Sequence, residues 1–134
     1  MTDHRAPPRP AAVSVLVVDD DEKLAAVISR ALDRAGYRCR VAASGDQTLW
    51  AVNDDPPDAL VLDVMIPHPS GVEVCRHLRS SGFEGAIVII SARSNTGDRA
   101  AARRAGADQF LAKPFPLSHL VATLDGLVVQ RAPA

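Results

Sequence analysis

Five short strand-like runs alternate with five stretches of helical period, and this alternation limits the folds open to the chain more than any other feature. VSVLVV, YRCRVA, ALVL, AIVII and QFLA are short and apolar or alternating, and turn residues bound them. Strands that alternate with helices over short loops build a parallel sheet covered on both faces, with right-handed crossovers. AIVII, apolar throughout, is expected in the sheet interior. YRCRVA sets Tyr37, Cys39 and Val41 against Arg38 and Arg40, the pattern of an edge strand with one wet face.

The helical stretches carry their own start and stop signals. DEKLAAVISRALDRAG is expected to turn Leu24, Val27, Ile28, Ala31 and Ala35 inward and to end at a left-handed Gly36. Ser44 with Gln47 and Ser70 with Glu73 have capping-box spacing at the second and third helices. Leu49 and Val52 are placed inward on the second helix, with Trp50 beside them as packing. Val72, Cys75 and Leu78 are placed inward on the third. GDRAAARRAG offers only alanines as apolar residues, so this fourth helix buries little area and is weakly held. Leu117, Leu120, Val121, Leu124 and Leu127 or Val128 form one stripe on the last helix.

At 134 residues there is room for one domain. Residues 1–12, with three prolines, read as a disordered leader, 13–130 as the domain, and 131–134 as a tail or the start of a linker. A net charge of −1 argues against direct nucleic-acid binding. Neither a membrane-spanning run nor a signal-peptide core is present, so a cytoplasmic location is expected. Cys39 and Cys75 lack metal-site spacing and read as buried free thiols.

The runs end on chemistry. VSVLVV leads to Asp19, Asp20 and Asp21, ALVL to Asp63, AIVII to Ser91, and QFLA to Lys113. Ligands of such sheets bind beyond the carboxyl ends of the strands. Converging carboxylates, a hydroxyl and an ammonium suit a hard divalent cation and a phosphoryl oxygen.

VLVVDDD, PDALVLDVMIPHPSG, IVIISAR and GADQFLAKPF, in that order and spacing over about residues 13 to 129, resemble the receiver domain of two-component response regulators. The resemblance implies a flavodoxin-like, doubly wound α/β fold with strand order 2-1-3-4-5. It makes Asp63 the nucleophile that takes a phosphoryl group from a sensor histidine kinase or a histidine phosphotransfer protein. Asp19, Asp20, Asp63 and the backbone carbonyl of Met65 then hold Mg²⁺ or Mn²⁺. Lys113, before a cis Pro114, pairs with Asp63 and later with the phosphoryl group. Ser91 is the switch hydroxyl, Ala92 lends a backbone N–H, and Phe110 stands at the aromatic switch position without a hydroxyl.

The implied protein catalyses its own aspartyl phosphorylation and dephosphorylation and is not a conventional enzyme. Its output face is the fourth helix, fifth strand and fifth helix, toward an effector domain or protein and with room for a homodimer. The branch that feeds DNA-binding regulators carries charged dimer contacts where this chain has Arg104, Thr123 and Asp125. The alternative reading is a small phosphohydrolase with Asp63 as nucleophile. It needs a second acid two residues later, where Met65 stands. His68, in the loop after Asp63, reads as a surface residue, and no glycine-rich phosphate loop follows the first strand to suggest nucleotide or flavin binding.

Overall fold

The computed structural model describes residues 12–131, so the expectations for the leader before Ala12 and for the tail 132–134 fall outside the described residues. The elements run β1 (Ser14–Val18), α1 (Glu22–Arg34), β2 (Arg38–Ala42), α2 (Gly45–Asp54), β3 (Ala59–Asp63), α3 (Gly71–Ser80), β4 (Ala86–Ser91), α4 (Thr96–Ala105), β5 (Gln109–Ala112) and α5 (Leu117–Arg131). All four strand pairings are parallel, in the order β2-β1-β3-β4-β5. Five strands, five helices and this order are the doubly wound α/β architecture that the sequence implies.

Strand alternation divides the core between two layers. Val15, Val17, Val61, Val88 and Ile90 face one side, where they meet Ile28 and Leu32 of α1 and Leu120, Leu124 and Leu127 of α5. Leu16, Leu60, Leu62, Ile87 and Ile89 face the other, against Val52, Val74, Cys75, Leu78, Ala102 and Ala105 from α2, α3 and α4. β1, β3 and β4 are buried along their whole length, which matches their apolar runs Val15–Val18, Ala59–Leu62 and Ala86–Ile90. α4 contributes only Ala102 and Ala105, each a methyl group with roughly 0.8 kcal/mol of burial to offer. Gly36 and Gly106 have φ of 101° and 107°, and both stop their helices in the left-handed region.

Three packing expectations are corrected. On α1 the buried residues are Ala25, Ile28 and Leu32, while Val27 is 44% exposed. The two stripes share Ile28 and differ by a small rotation, and the larger Leu32 selects the one observed. Trp50 is 68% exposed on α2, outside the contact made by Thr48 and Val52. Val41 is exposed on β2, an outermost strand with a neighbour on one side only.

The caps also differ in detail. Ser70 and Glu73 form a complete capping box, whereas Gln47 reaches past Ser44 to the N–H of Ala43. Cys75 is buried and Cys39 half-buried, and both are free. Burial, with Asp33 beside it, pushes Cys39 up to about 12, and burial pushes Cys75 to about 11, so neither forms a thiolate readily.

One polar clamp ties the α3, β4 and β5 ends together. The Arg79 guanidinium donates to the carbonyls of Phe83, Gly85 and Gly106 and to the Asp108 carboxylate at 3.0 Å. Asp108 also accepts from the N–H of Ile87. Arg79→Ala leaves three carbonyls and a partly buried carboxylate without this donor. The expected loss is about 3 kcal/mol, or on the order of 10 °C in Tm by thermal melting, and Arg79→Lys should recover little because an ammonium cannot fork across all four acceptors.

Candidate functional site

Asp19, Asp63, Ser91 and Lys113 come together where β1, β3, β4 and β5 end. Asp63 is the last residue of β3 and 4% exposed; Asp19 follows β1 and is 1% exposed; Ser91 closes β4 at 1%. Lys113 follows β5, and its main-chain N–H bonds the Ser91 carbonyl at 2.8 Å, which fixes where its side chain starts. Its Nζ then donates to Asp63 at 2.9 Å and to Asp19 at 3.0 Å. One ammonium thus spans two buried carboxylates.

Asp20 is exposed beside them, and one carboxylate oxygen from each of Asp19, Asp20 and Asp63 falls within a span of 4.8 Å. Such a set of hard oxygens, partly open to solvent through Asp20, fits a hard divalent cation. Asp21, the third acid of the run, instead caps α1 by accepting from the N–H groups of Lys23 and Leu24.

Burial raises the Asp63 carboxyl above the usual carboxylate range. The Lys113 hydrogen bond and the Met65 N–H pull it back, and the Asp19 charge pushes it up again. Desolvation opposes the Lys113 ammonium, but hydrogen bonds and charge from Asp63 and Asp19 outweigh it and raise that group above its ordinary value.

The other predicted residues are spread over the loops, β5, α4 and α5. Met65 follows in the loop, its N–H on Asp63 at 3.1 Å and its side chain 57% exposed. The Ser91 hydroxyl oxygen accepts from the Arg93 N–H at 3.0 Å, leaving its own proton available. Ala92 is exposed next to it. The bond from Lys113 to Pro114 is cis, as the resemblance implies. Phe110 is half-buried on β5, and the Arg99 guanidinium lies 4.8 Å from its ring centre. His68 is exposed in the loop after Asp63. Arg104 is exposed on α4, and Asp125 accepts from the Tyr37 hydroxyl.

Two partners carried no sequence signal. Arg99 reads as one surface arginine among several until α4 is set beside β5. Gly45 lies far from the acids in sequence, yet its N–H bonds the Pro67 carbonyl at 2.9 Å in the loop after Asp63. A wide cleft at the other end of the sheet, lined by Val13, Asp58, Phe83 and Gly85, contains none of the acidic cluster.

The family model for the response regulator receiver domain matches residues 15–125. The chain belongs to this family. The receiver domain is 43% identical over 122 residues to the response regulator MprA of Mycobacterium bovis, covering 91% of this chain and 53% of that protein. It spans about half the length of the curated relatives it matches. Among solved structures it resembles the Francisella response regulator 1452 receiver domain, with a TM-score of 0.86 at 29% identity over 90% of this chain and 99% of that one. The BeF3-activated N-terminal receiver domain of Klebsiella pneumoniae RstA gives 0.81 at 25% identity, covering 86% and 97%. Receiver domains bind Mg²⁺ at an acidic pocket, and this receiver domain has the cluster of acids such a pocket needs. The phosphohydrolase reading finds no support in these relatives. No helix among the described residues is long and apolar enough to cross a membrane.

Proposed function

We propose that this receiver domain works as a phosphorylation switch with Asp63 as acceptor. The observation that carries the reading is the Lys113 ammonium held between the buried carboxylates of Asp63 and Asp19. An Asp63 carboxylate oxygen attacks the phosphorus of a phosphohistidine on a sensor kinase or phosphotransfer protein. An O–P bond forms, the P–N bond breaks, and the imidazole leaves.

Lys113 neutralises charge at Asp63 before transfer and pairs with a phosphoryl oxygen after it. The Ser91 hydroxyl donates its proton to a second oxygen, and the Ala92 N–H serves a third. Asp19, Asp20, Asp63 and the Met65 carbonyl hold Mg²⁺ or Mn²⁺, which when bound offsets the charge on the phosphoryl oxygens. The domain acts in the cytoplasm, where the kinase presents its phosphohistidine.

Output is through α4, β5 and α5. The thin packing of α4 supports this reading, because an element held by two alanines shifts at small cost. Amide exchange with and without beryllofluoride should change at α4 and β5; changes confined to α2 and α3 would refute it. For the chemistry, incubation with acetyl phosphate and Mg²⁺ should raise the intact mass by one phosphoryl group, and EDTA should prevent it. Steady release of phosphate with no adduct on the protein is the contrary result.

A further inference from the structure

The loop from Val64 to Ser70 carries the Met65 carbonyl, and two glycines from different helices grip it. Gly71, the first residue of α3, crosses the backbone of Asp63 so closely that a Cβ there would lie 2.3 Å from the Asp63 carbonyl oxygen. Gly45, the first residue of α2, presses on the far end of the loop. A Cβ on Gly45 would lie 2.0 Å from the Pro69 carbonyl oxygen and 2.6 Å from both its ring Cδ and its nitrogen. Two of these three atoms are backbone, so no side-chain rotation relieves the overlap.

The same Gly45 donates its N–H to the Pro67 carbonyl, and Ile66 between them is buried in the core at 8% exposure. The tip of the loop is therefore held from beneath by Ile66 and from the side by α2. Its near end is tied by the Val64 N–H to Ile90 and the Gly71 N–H to Val64. None of the residues proposed to touch metal or phosphoryl group lies on α2.

We infer that Gly45 is a positioning residue for the cation site: α2 sets the height of the loop, and with it the Met65 carbonyl against the Asp63 carboxylate. The inference rests on the proposed metal-binding role of Met65. An added methyl group must push Pro69 away from α2, and because Ile66 resists sideways movement the displacement runs back along the loop toward Met65. Outer contacts that orient a ligand influence metal affinity about ten-fold or more, though they never touch the ion.

The test is a Mg²⁺ titration of the full chain followed by amide NMR shifts, alongside phosphorylation by acetyl phosphate. Gly45→Ala should raise the Mg²⁺ Kd about ten-fold while leaving half-saturation by acetyl phosphate unchanged at saturating Mg²⁺. The neighbouring exposed Asp46→Ala should leave both unchanged. A general loss of structure would move both quantities together.

Ser44→Ala removes the cap that accepts from the Gln47 N–H and loosens the same turn without adding an atom. It should raise the Mg²⁺ Kd, by less than Gly45→Ala does, and if Gly45→Ala does not fold, a Ser44→Ala Kd above the parent's supports the inference. A folded variant with the wild-type Kd overturns the inference. Wild-type protein that shows no response to Mg²⁺ overturns the metal reading and this inference with it.

Discussion

Asp63→Asn will take up no phosphoryl group from acetyl phosphate, and it will unfold at a higher temperature than the parent protein. The first effect is complete, because an amide is no nucleophile at phosphorus and no neighbouring acid replaces Asp63 at the end of β3. The second follows from the charges. Two buried carboxylates share one ammonium with a third acid, Asp20, beside them, and Asp63, almost wholly buried, has its pKa raised chiefly by desolvation. An acid that holds its proton more tightly in the folded state than in the unfolded chain destabilises the fold whenever it is ionised. Asparagine removes that charge and keeps an oxygen for Lys113. The gain should be about 1 kcal/mol, of the kind seen when a functional site is relieved of its strain.

The stability difference depends on pH in a definite direction. Above the raised pKa of Asp63 the gap in Tm between Asp63→Asn and the parent should be at its full size. It should narrow as pH falls between that value and the ordinary carboxylate range, because the parent then takes up its proton first in the folded state. Thermal melts across mildly acidic to neutral pH measure this directly. A gap that widens with acid would contradict the account.

The strand ends were readable because four apolar runs stop at a carboxylate, a hydroxyl or an ammonium. Asp19, Asp63, Ser91 and Lys113 needed only the rule that parallel sheets bind ligands at their carboxyl ends to be placed together. The same rule cannot say that Lys113 touches both Asp19 and Asp63, since that depends on the register of β5 against β4.

Helix rotation was the least readable quantity. On α1 two stripes share Ile28, and on α2 Leu49 and Trp50 are adjacent candidates for the core. What fixes α2 is a contact no period records: Gly45 pressed against the backbone of Pro69. Thr48 and Val52 are buried on the same helix, and Trp50 lies outside. The Arg79 clamp was hidden for a related reason, since three of its four acceptors are main-chain carbonyls that any residue possesses.

Lys113→Met should have the opposite signature to Asp63→Asn: lower stability together with a weak but detectable phosphorylation. Methionine fills a similar volume, so packing is nearly kept. What disappears is the cation that spans Asp19 and Asp63, two carboxylates that are 1% and 4% exposed. Removing one partner from a buried ion pair costs roughly 3 kcal/mol, because the charge left behind has neither water nor counterion. The reaction itself survives, since the nucleophile remains, but one preorganised donor to the phosphoryl oxygens is gone. Such a loss slows transfer by about 100-fold or more.

Two conditions should rescue the stability of Lys113→Met. Mg²⁺ supplies positive charge to the same carboxylates, so its addition should raise the Tm of the variant more than that of the parent. Acid should help too, because without Lys113 the main influence lowering the Asp63 pKa is absent and the carboxyl protonates at a higher pH than before. In alkali the difference should shrink for the other reason: the parent's own lysine loses its proton as pH passes the raised Lys113 value, and its contribution goes with it. Melting curves with and without Mg²⁺, from acid to alkali, separate these effects. A Lys113→Met protein as stable as the parent at neutral pH, or one phosphorylated at the parent's rate, would show that the ammonium seen between Asp19 and Asp63 holds neither the fold nor the reaction.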